Sequence, residues 1–358
     1  MRITIDATST LVRSAGVKSY TFHWMRHLRK AALPEEDIRA FPFLGDIEHL
    51  DHERSARPLL STLARLAAMH AANRLGSFAL DAMLRGTDIF HAGNLIRRAP
   101  SKTRLTATVH DLTAWIMPQH HTQAISSGDQ VFAERVLKRA DALIAVSEHT
   151  RQDAIRILGI APAKIRTIHS GISEEYFDGT PMPRAKPYVL CVGTIEPRKN
   201  LPVLLDAWKA LPQDLRQQFD LVSAGPEGWH AAETMARVRA ESTYLGYVPE
   251  AEMPGLFAGA TLFVYPSLYE GFGFPVAQAM AARVPVITSN TSCLPEVTGG
   301  SARLFDPLSR AELQKALQEL LESPEERKRL SELGRIRAGI FTWEKCAEAS
   351  LKLFRQVA

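Results

Sequence analysis

Glu270 and Gln278 stand eight residues apart within YPSLYEGFGFPVAQAMA, residues 265–281. The apolar run ending at Tyr265 reads as a buried strand, and Glu270 sits in the turn that follows. Gly271 and Gly273 remove side chains where a ligand would approach the backbone. Pro275 suits a first helical position, where a missing N–H costs no intrahelical bond, and Gln278 then falls on the opening turn. The first N–H groups of a helix lack intrahelical acceptors and mark its positive end. One carboxylate, one amide and these N–H groups together suit a phosphorylated, hydroxyl-rich ligand. Upstream, Arg198 and Lys199 lie just past the apolar run YVLCVGT. A planar fork beside a point charge fits a place where negative charge develops on a phosphate oxygen. No acidic pair forms an evident metal-ligand set, and Cys191, Cys293 and Cys346 are too scattered for one.

The elements that must hold these residues are short β-rich runs alternating with helical stretches. RITIDA, DIFHAG, LTATVHD, ALIAVS and KIRTIHSG are strand candidates in the first half; YVLCVGT, FDLVSAG, STYLGYV, TLFVYPS and VPVITS are those of the second. Continuous apolar strands between helices mean parallel sheets covered on both faces. At 358 residues the chain is long for one core, so two doubly wound lobes are expected. The three prolines of TPMPRAKP, residues 180–187, mark the joint. The expected division is residues 1–182 and 183–342, with an apolar-sided helix from about Trp343 to Val357 packing back on the first lobe. In open α/β sheets ligands gather at the carboxyl ends of strands. Gly16 follows the first strand there, His110 and Asp111 end LTATVHD, Gly171 ends KIRTIHSG, Gly193 and Thr194 end YVLCVGT, and Gly225 ends FDLVSAG.

The net charge of +4 is unevenly spread. From Arg54 to Arg104 there are nine basic and two acidic residues, a local charge of +7, which leaves −3 for the rest. Within that stretch RPLLSTLARLAAMHAANRL has helical spacing with arginines between apolar residues. It reads as a basic amphipathic helix on anionic lipid, or as an ordinary surface helix with a solvated face. Interleaved aromatics are lacking, which argues against nucleic acid. No apolar run reaches about 18 residues, so no membrane span is expected. MRITIDATST enters a strand without a signal-like apolar stretch, and the few cysteines fit a reducing cytoplasm.

VGTIEPRKNL, LGYVPEAEMPGLFAGATLFVYPSLYEGFGFP and AMAARVPVITS, preceded by VHDL, AVSEHTRQD and HSGIS in that order, resemble glycosyltransferase family 4. These are retaining enzymes with the GT-B fold, two Rossmann-like lobes facing a central cleft. The resemblance covers nearly the whole chain and implies a sugar nucleotide held by the second lobe, an acceptor held by the first, and no metal or other cofactor. Arg198 and Lys199 match the basic pair on the diphosphate. Glu270 matches the first acidic residue of the E-x7-E motif, which holds donor-sugar hydroxyls, and Gly271, Phe272 and Gly273 bring backbone amides to sugar or phosphate. His110 matches the first-lobe histidine near sugar and phosphate, and Gly16 the glycine loop facing the phosphates. Gly193 and Thr194 belong to the same donor-binding surface, and Tyr247 and Val248 lie where the family holds the base.

Gln278 departs from that pattern, since the family usually has a second glutamate there to bind ribose hydroxyls. Glutamine still accepts a hydrogen bond and also donates one, but loses the charge-assisted part, about 1 kcal/mol. Ser170-Gly171 stands where Asn-Gly is commoner. The overall look of EPRKN, GPEGW and SLYEGFGFP resembles bacterial mannosyltransferases that build surface polysaccharide. The implied reaction moves mannose from GDP-mannose to a glycan or lipid-linked acceptor, in the cytoplasm and on the inner membrane face if the basic helix binds lipid. A UDP-sugar donor, or a catalytically weak sugar-nucleotide-binding subunit, are the alternatives. An epimerase on the same architecture would need a carboxylate pair that is not evident. Arg198 is expected to be exposed in the unliganded protein.

Overall fold

The computed structural model of the protein describes residues 1–13, 16–43, 45, 47, 50–52 and 54–358. Packing divides the chain into two compact units, Met1–Gly171 with Thr342–Ala358, and Ile172–Phe341. Position 182/183 lies inside the second unit, where Met182 N–H donates to Gly255 O (2.9 Å).

Each unit is built on a parallel sheet, as uninterrupted apolar strands between helices require. The first sheet comprises β1 (Arg2–Asp6), β2 (Asp37–Phe41), β3 (Ile89–Ala92), β4 (Arg104–Val109), β5 (Ala142–Ala145) and β6 (Ile165–Thr167), in the order β2-β1-β3-β4-β5-β6. The second comprises β7 (Tyr188–Val192), β8 (Asp220–Ala224), β9 (Thr243–Tyr244), β10 (Leu262–Tyr265), β11 (Val286–Ser289) and β12 (Arg303–Phe305), in the order β12-β11-β10-β7-β8-β9. Two of these strands escape the sequence pattern. DIRAF (β2) alternates exposed and buried residues at a sheet edge, and RLF (β12) is a three-residue edge strand. STYLGYV is mostly loop, with Thr243 and Tyr244 paired to β8 and Gly246 at φ +69° ending the pairing.

The strand orders matter for the site. In each sheet the chain winds outward in one direction, then returns beside its first strand and winds outward in the other. The points of reversal lie between β1 and β3, and between β7 and β10. Loops leaving neighbouring strands there diverge and open a crevice at the strands' carboxyl ends.

The C-terminal helix Trp343–Val357 packs on the helix Gly16–Ala31 within the first unit. Trp24 Nε1 donates to Ser350 Oγ (3.0 Å), the Trp343 ring stacks on His23 (5.6 Å), and the Arg355 fork grips both Glu36 oxygens (2.8 Å each). The basic stretch forms a helix, Leu59–Leu75, as its spacing predicts, followed by a shorter one, Ser77–Met83. The longer helix buries Thr62 and Ala72 and leaves Leu59, Leu60, Leu63 and Leu75 exposed.

Candidate functional site

In the second unit the reversal between β7 and β10 brings together residues some seventy positions apart. The loop after β7 makes a tight 3-10 turn at Pro197–Lys199, carrying both basic side chains. Asn200 follows in the left-handed region (φ +55°) and donates from Nδ2 to Pro266 O (3.2 Å) and Pro307 O (2.8 Å). It thereby ties the loops after β7, β10 and β12 together. Leu268 N–H donates to Arg198 O (2.9 Å), so the loop bearing Glu270 is fixed directly to the basic turn.

The side chains meet at Glu270 Oε1. Lys199 Nζ donates to it (2.7 Å), as do Ser267 Oγ (2.6 Å) and Tyr265 OH (3.0 Å), and Arg198 Nη1 lies 3.0 Å away. Lys199 Nζ also donates to Tyr265 OH (2.6 Å). Burial alone would raise the Glu270 carboxyl, but Arg198 and Lys199, with bonds from Lys199 and Ser267, hold it down at about 2. Glu270 is therefore ionised throughout the physiological range. These four contacts converge on Oε1, so Oε2 keeps its capacity to accept bonds from ligand hydroxyls.

Arg198 is not exposed as its sequence context suggests. Its side chain is 14% accessible, and its fork is spread between two anchors. Nη2 donates to Glu196 Oε1 (2.7 Å), and Nη1 donates to Tyr269 O (2.7 Å). Glu196 was not among the residues singled out from the sequence, although it opens EPRKN two residues before Arg198. Tyr265 and Ser267 were missed as well, because an apolar strand end and a turn serine look structural until the fold turns both onto one carboxylate.

The flanking glycines explain how the loops come so close. Lys199 passes over Gly193, whose missing Cβ would stand 3.7 Å from Lys199 Cε. Gly225, at φ +137°, allows the loop after β8 to touch that after β7; a Cβ there would lie 2.0 Å from Gly193 O. Gly273, at φ +82°, turns the chain into the helix Phe274–Ala281. Gly271 and Phe272 are buried beside Glu270, with the Phe272 ring edge-on to Phe341 (5.4 Å). Thr194 packs under Gly228 of the neighbouring loop. Tyr247 and Val248 are half-buried loop residues just past Gly246, whose carbonyl accepts from Gly225 N–H (2.7 Å).

Gln278 is fifth in its helix, one residue deeper than the sequence suggests, because the helix opens at Phe274 and Pro275 is its second residue. Its amide lies beside the hydroxyl of Tyr176 and works to lower that phenol's pKa, while the hydroxyl itself donates to Glu250 Oε1 (3.0 Å). The phenol thus sits between a carboxylate and an amide. Burial and Glu250 push its pKa well above the usual value, so it remains a donor. An amide at position 278 is able to donate to this oxygen, whereas a carboxylate is not.

The first unit holds its own group of polar residues at the reversal between β1 and β3. Asp6 ends β1, and its Oδ1 accepts from Thr8 N–H (3.0 Å) and Thr8 Oγ1 (2.7 Å), while Oδ2 accepts from Gly93 N–H (3.1 Å). Asp111, past β4, repeats the same D-x-T turn with Thr113, at 3.0 and 2.7 Å. Burial raises Asp6 to about 6 against the pull of Thr8, Gly93 and Arg97. Half-buried His110 stands edge-on to Tyr20 (4.8 Å), and burial lowers it to about 4 against the opposing effect of Asp111. It is therefore a neutral imidazole at pH 7. A cavity of about 20 Å³, room for roughly one water, is lined by Asp6, Tyr20, His91, Gly93, Thr108 and His110. Gly16 opens the helix Gly16–Ala31 and is exposed, with nothing within 4 Å of where a Cβ would stand. Asp6 was legible only as a strand end, yet it shares its turn chemistry with the Asp111 that the sequence did mark.

Residues 16–176 match the family described as Glycosyltransferase Family 4, and residues 172–337 match Glycosyl transferases group 1. The O-antigen chain mannosyltransferase B of Escherichia coli is 31% identical over 267 residues, which span 70% of each chain. The serotype-specific mannosyltransferase WbdA of the same organism is 28% identical over 240 residues, or 62% of this chain, but the match spans only 29% of that longer relative. Among solved structures, sucrose-phosphate synthase from Thermosynechococcus elongatus superposes with a TM-score of 0.75 at 23% identity, covering 99% of this chain and 98% of that one. A likeness of that extent assigns the architecture, two Rossmann-like units of the GT-B kind.

Proposed function

The chain belongs to the family 4 glycosyltransferases, and from that membership we propose that it moves mannose from GDP-mannose to a glycan or lipid-linked acceptor with retention of configuration. That it is a glycosyltransferase follows from the family. The choice of mannose is carried by one observation, that its 31%-identical relative is an O-antigen mannosyltransferase. In this reading the second unit binds the sugar nucleotide and the first the acceptor.

The chemistry follows from the cluster around Glu270. As the bond between sugar and diphosphate breaks, negative charge grows on the departing phosphate oxygen. Lys199 and Arg198, already held in a fixed array, meet that charge without having to reorganise, which is where preorganised cations contribute most. Glu270 Oε2 accepts hydroxyls of the donor sugar while Oε1 stays bound to Lys199, Ser267 and Tyr265. Gly193 and Thr194 shape the phosphate side, Gly271, Phe272 and Gly273 offer backbone to the sugar, Gln278 faces the ribose, and Tyr247 and Val248 contact the base. Within the first unit, neutral His110 is the group proposed as a hydrogen-bond donor to ligand, and exposed Gly16 leaves the start of its helix open to phosphate. The leaving phosphate takes the acceptor's proton, so no metal and no protein nucleophile are required.

A membrane surface is the second partner proposed. Leu60 and Phe78 are 82% and 83% exposed on consecutive helices that also carry exposed Arg74. Not all the basic residues are equally available: Arg104 pairs with Asp141 (3.3 Å), and Arg97 donates to the carbonyls of Asn94 and Ile96. Basic residues near an anionic bilayer each contribute about 1 kcal/mol and are screened by salt. Sedimentation with anionic vesicles should fall steeply as salt rises, and changing Arg57, Arg65 and Arg74 together to Gln should weaken it while donor hydrolysis persists. Indifference to anionic vesicles at low salt would leave these helices as a solvated face. For the donor, turnover of GDP-mannose should exceed that of UDP-glucose, UDP-galactose and N-acetylhexosamine nucleotides; the reverse order would replace mannose in the reading.

A further inference from the structure

Glu196 is a buried carboxylate to which the chemistry above gives no task. It is 3% exposed, and its Oε1 receives Arg198 Nη2 at 2.7 Å. Its backbone is extended (φ −143°, ψ 158°) and caps the turn Pro197–Lys199, with Glu196 O accepting from Lys199 N–H (3.0 Å). Two backbone bonds tether the loop at this position. Ile195 N–H donates to Pro226 O (2.9 Å) and Gly228 N–H returns to Ile195 O (3.0 Å). Gly228 lies so close that a Cβ on it would stand 3.3 Å from Glu196 Cβ and 2.7 Å from Thr194 Cγ2.

The charges around the basic turn also balance. Arg198 and Lys199 supply two positive charges, and Glu196 and Glu270 two negative ones. Glu270 has its own set of donors in Lys199, Ser267 and Tyr265. Glu196 is instead committed to the guanidinium. It holds one side of the fork while Tyr269 O holds the other, which fixes the plane in which Arg198 meets a ligand. A diphosphate arriving at Arg198 meets a cation whose charge is already partly answered, and a fixed carboxylate close by repels it. An enzyme that must release a nucleoside diphosphate each cycle gains from a cation that is well oriented yet holds the product weakly.

We propose that Glu196 is a positioning residue that orients Arg198 and, by competing with phosphate for it, keeps the affinity for the nucleoside diphosphate product low enough for turnover. This rests on the reading of the second unit as a sugar-nucleotide site. The test is calorimetric titration of wild-type, Glu196→Gln and Glu196→Ala proteins with GDP and with UDP, alongside steady-state and single-turnover donor hydrolysis. Glutamine keeps an acceptor for Arg198 Nη2 and removes only the charge. Glu196→Gln should bind the preferred diphosphate about tenfold more tightly, the effect of one lost repulsion. Its steady-state kcat should fall while its single-turnover rate stays near wild type, because release is slowed and chemistry is not. Glu196→Ala also frees the guanidinium, so its single-turnover rate should fall. A residue that only stabilised the loop would lower the melting temperature of both variants without moving the diphosphate affinity of either. An unchanged Kd in a folded Glu196→Gln protein would overturn the proposal. Failure of the wild type itself to bind GDP or UDP would overturn the site reading, and the proposal with it.

Discussion

Replacing Arg198 with alanine should cost stability as well as turnover. The guanidinium lies between Glu196 (2.7 Å) and Glu270 (3.0 Å) and also donates to Tyr269 O. Glu270 keeps Lys199, Ser267 and Tyr265 when Arg198 is removed. Glu196 loses its ion pair with Arg198 while remaining almost wholly buried. Stranding a buried charge in this way costs about 3–5 kcal/mol, and the partial accessibility of the Arg198 side chain argues for the lower end, about 3 kcal/mol. For a unit of this size each kcal/mol shifts the midpoint by roughly 2–4 °C, so its melting transition should drop by about 6–12 °C. Removing both partners, Arg198→Ala with Glu196→Ala, should recover about 2 kcal/mol, because the stranded charge is gone. Turnover should fall about 100-fold or more, near 3 kcal/mol of transition-state stabilisation. Scanning calorimetry of the two single variants and the double variant, with donor hydrolysis on each, measures all of these. A single variant that loses less than about 1 kcal/mol, or a double variant that is simply additive, would refute the buried-pair reasoning.

Gly171→Ala should destabilise the first unit by several kcal/mol, since its Cβ would lie 2.3 Å from Trp343 N and 2.5 Å from Trp343 Cα, main-chain atoms that no rotamer change moves aside; a melting curve like wild type would show that the packing there is looser. Gln278→Glu would set two carboxylates around the Tyr176 hydroxyl, so donor affinity should fall about tenfold even though the substitution restores the usual family residue; equal or tighter binding by calorimetry would mean that the ribose contact does not depend on the amide's place beside Tyr176. Glu270, lowered from 4.5 to about 2, contributes stability that is fully present above pH 4.5 and is lost as pH falls toward 2, about 3 kcal/mol in all. Urea unfolding between pH 2 and 6 should therefore fall more steeply for wild type than for Glu270→Gln, and parallel curves would deny Glu270 its ion pairs.

Much of this arrangement was legible from residue order. Apolar strands alternating with helices gave two parallel sheets, and the turn glycines marked the ends of β7, β8 and β10. The edge strands β2 and β12 were not legible, because an edge strand shows neither a continuous apolar run nor enough length to stand out. Arg198, Lys199 and Glu270 were named from motif spacing, yet their mutual contacts were not. Spacing along the chain carries no information on which loop crosses which, and only the reversal of strand order between β7 and β10 supplies it. Glu196 escaped for a related reason: a glutamate beside an arginine reads as solvated charge until the neighbouring loop at Gly228 closes over it. The Tyr176 partnership of Gln278 spans about a hundred residues, and no local pattern links the two.

The most direct test of the account is the release of nucleoside diphosphate from GDP-mannose, measured without acceptor and with chelator present, for wild type and for Lys199→Met, which keeps the length of the side chain. Wild type should release GDP slowly but measurably, and the folded variant should be about 100-fold slower or worse, because the cation bonded to Glu270 and proposed to meet the leaving phosphate is gone. Equal rates in the two proteins, or no release by wild type from any sugar nucleotide, would contradict it.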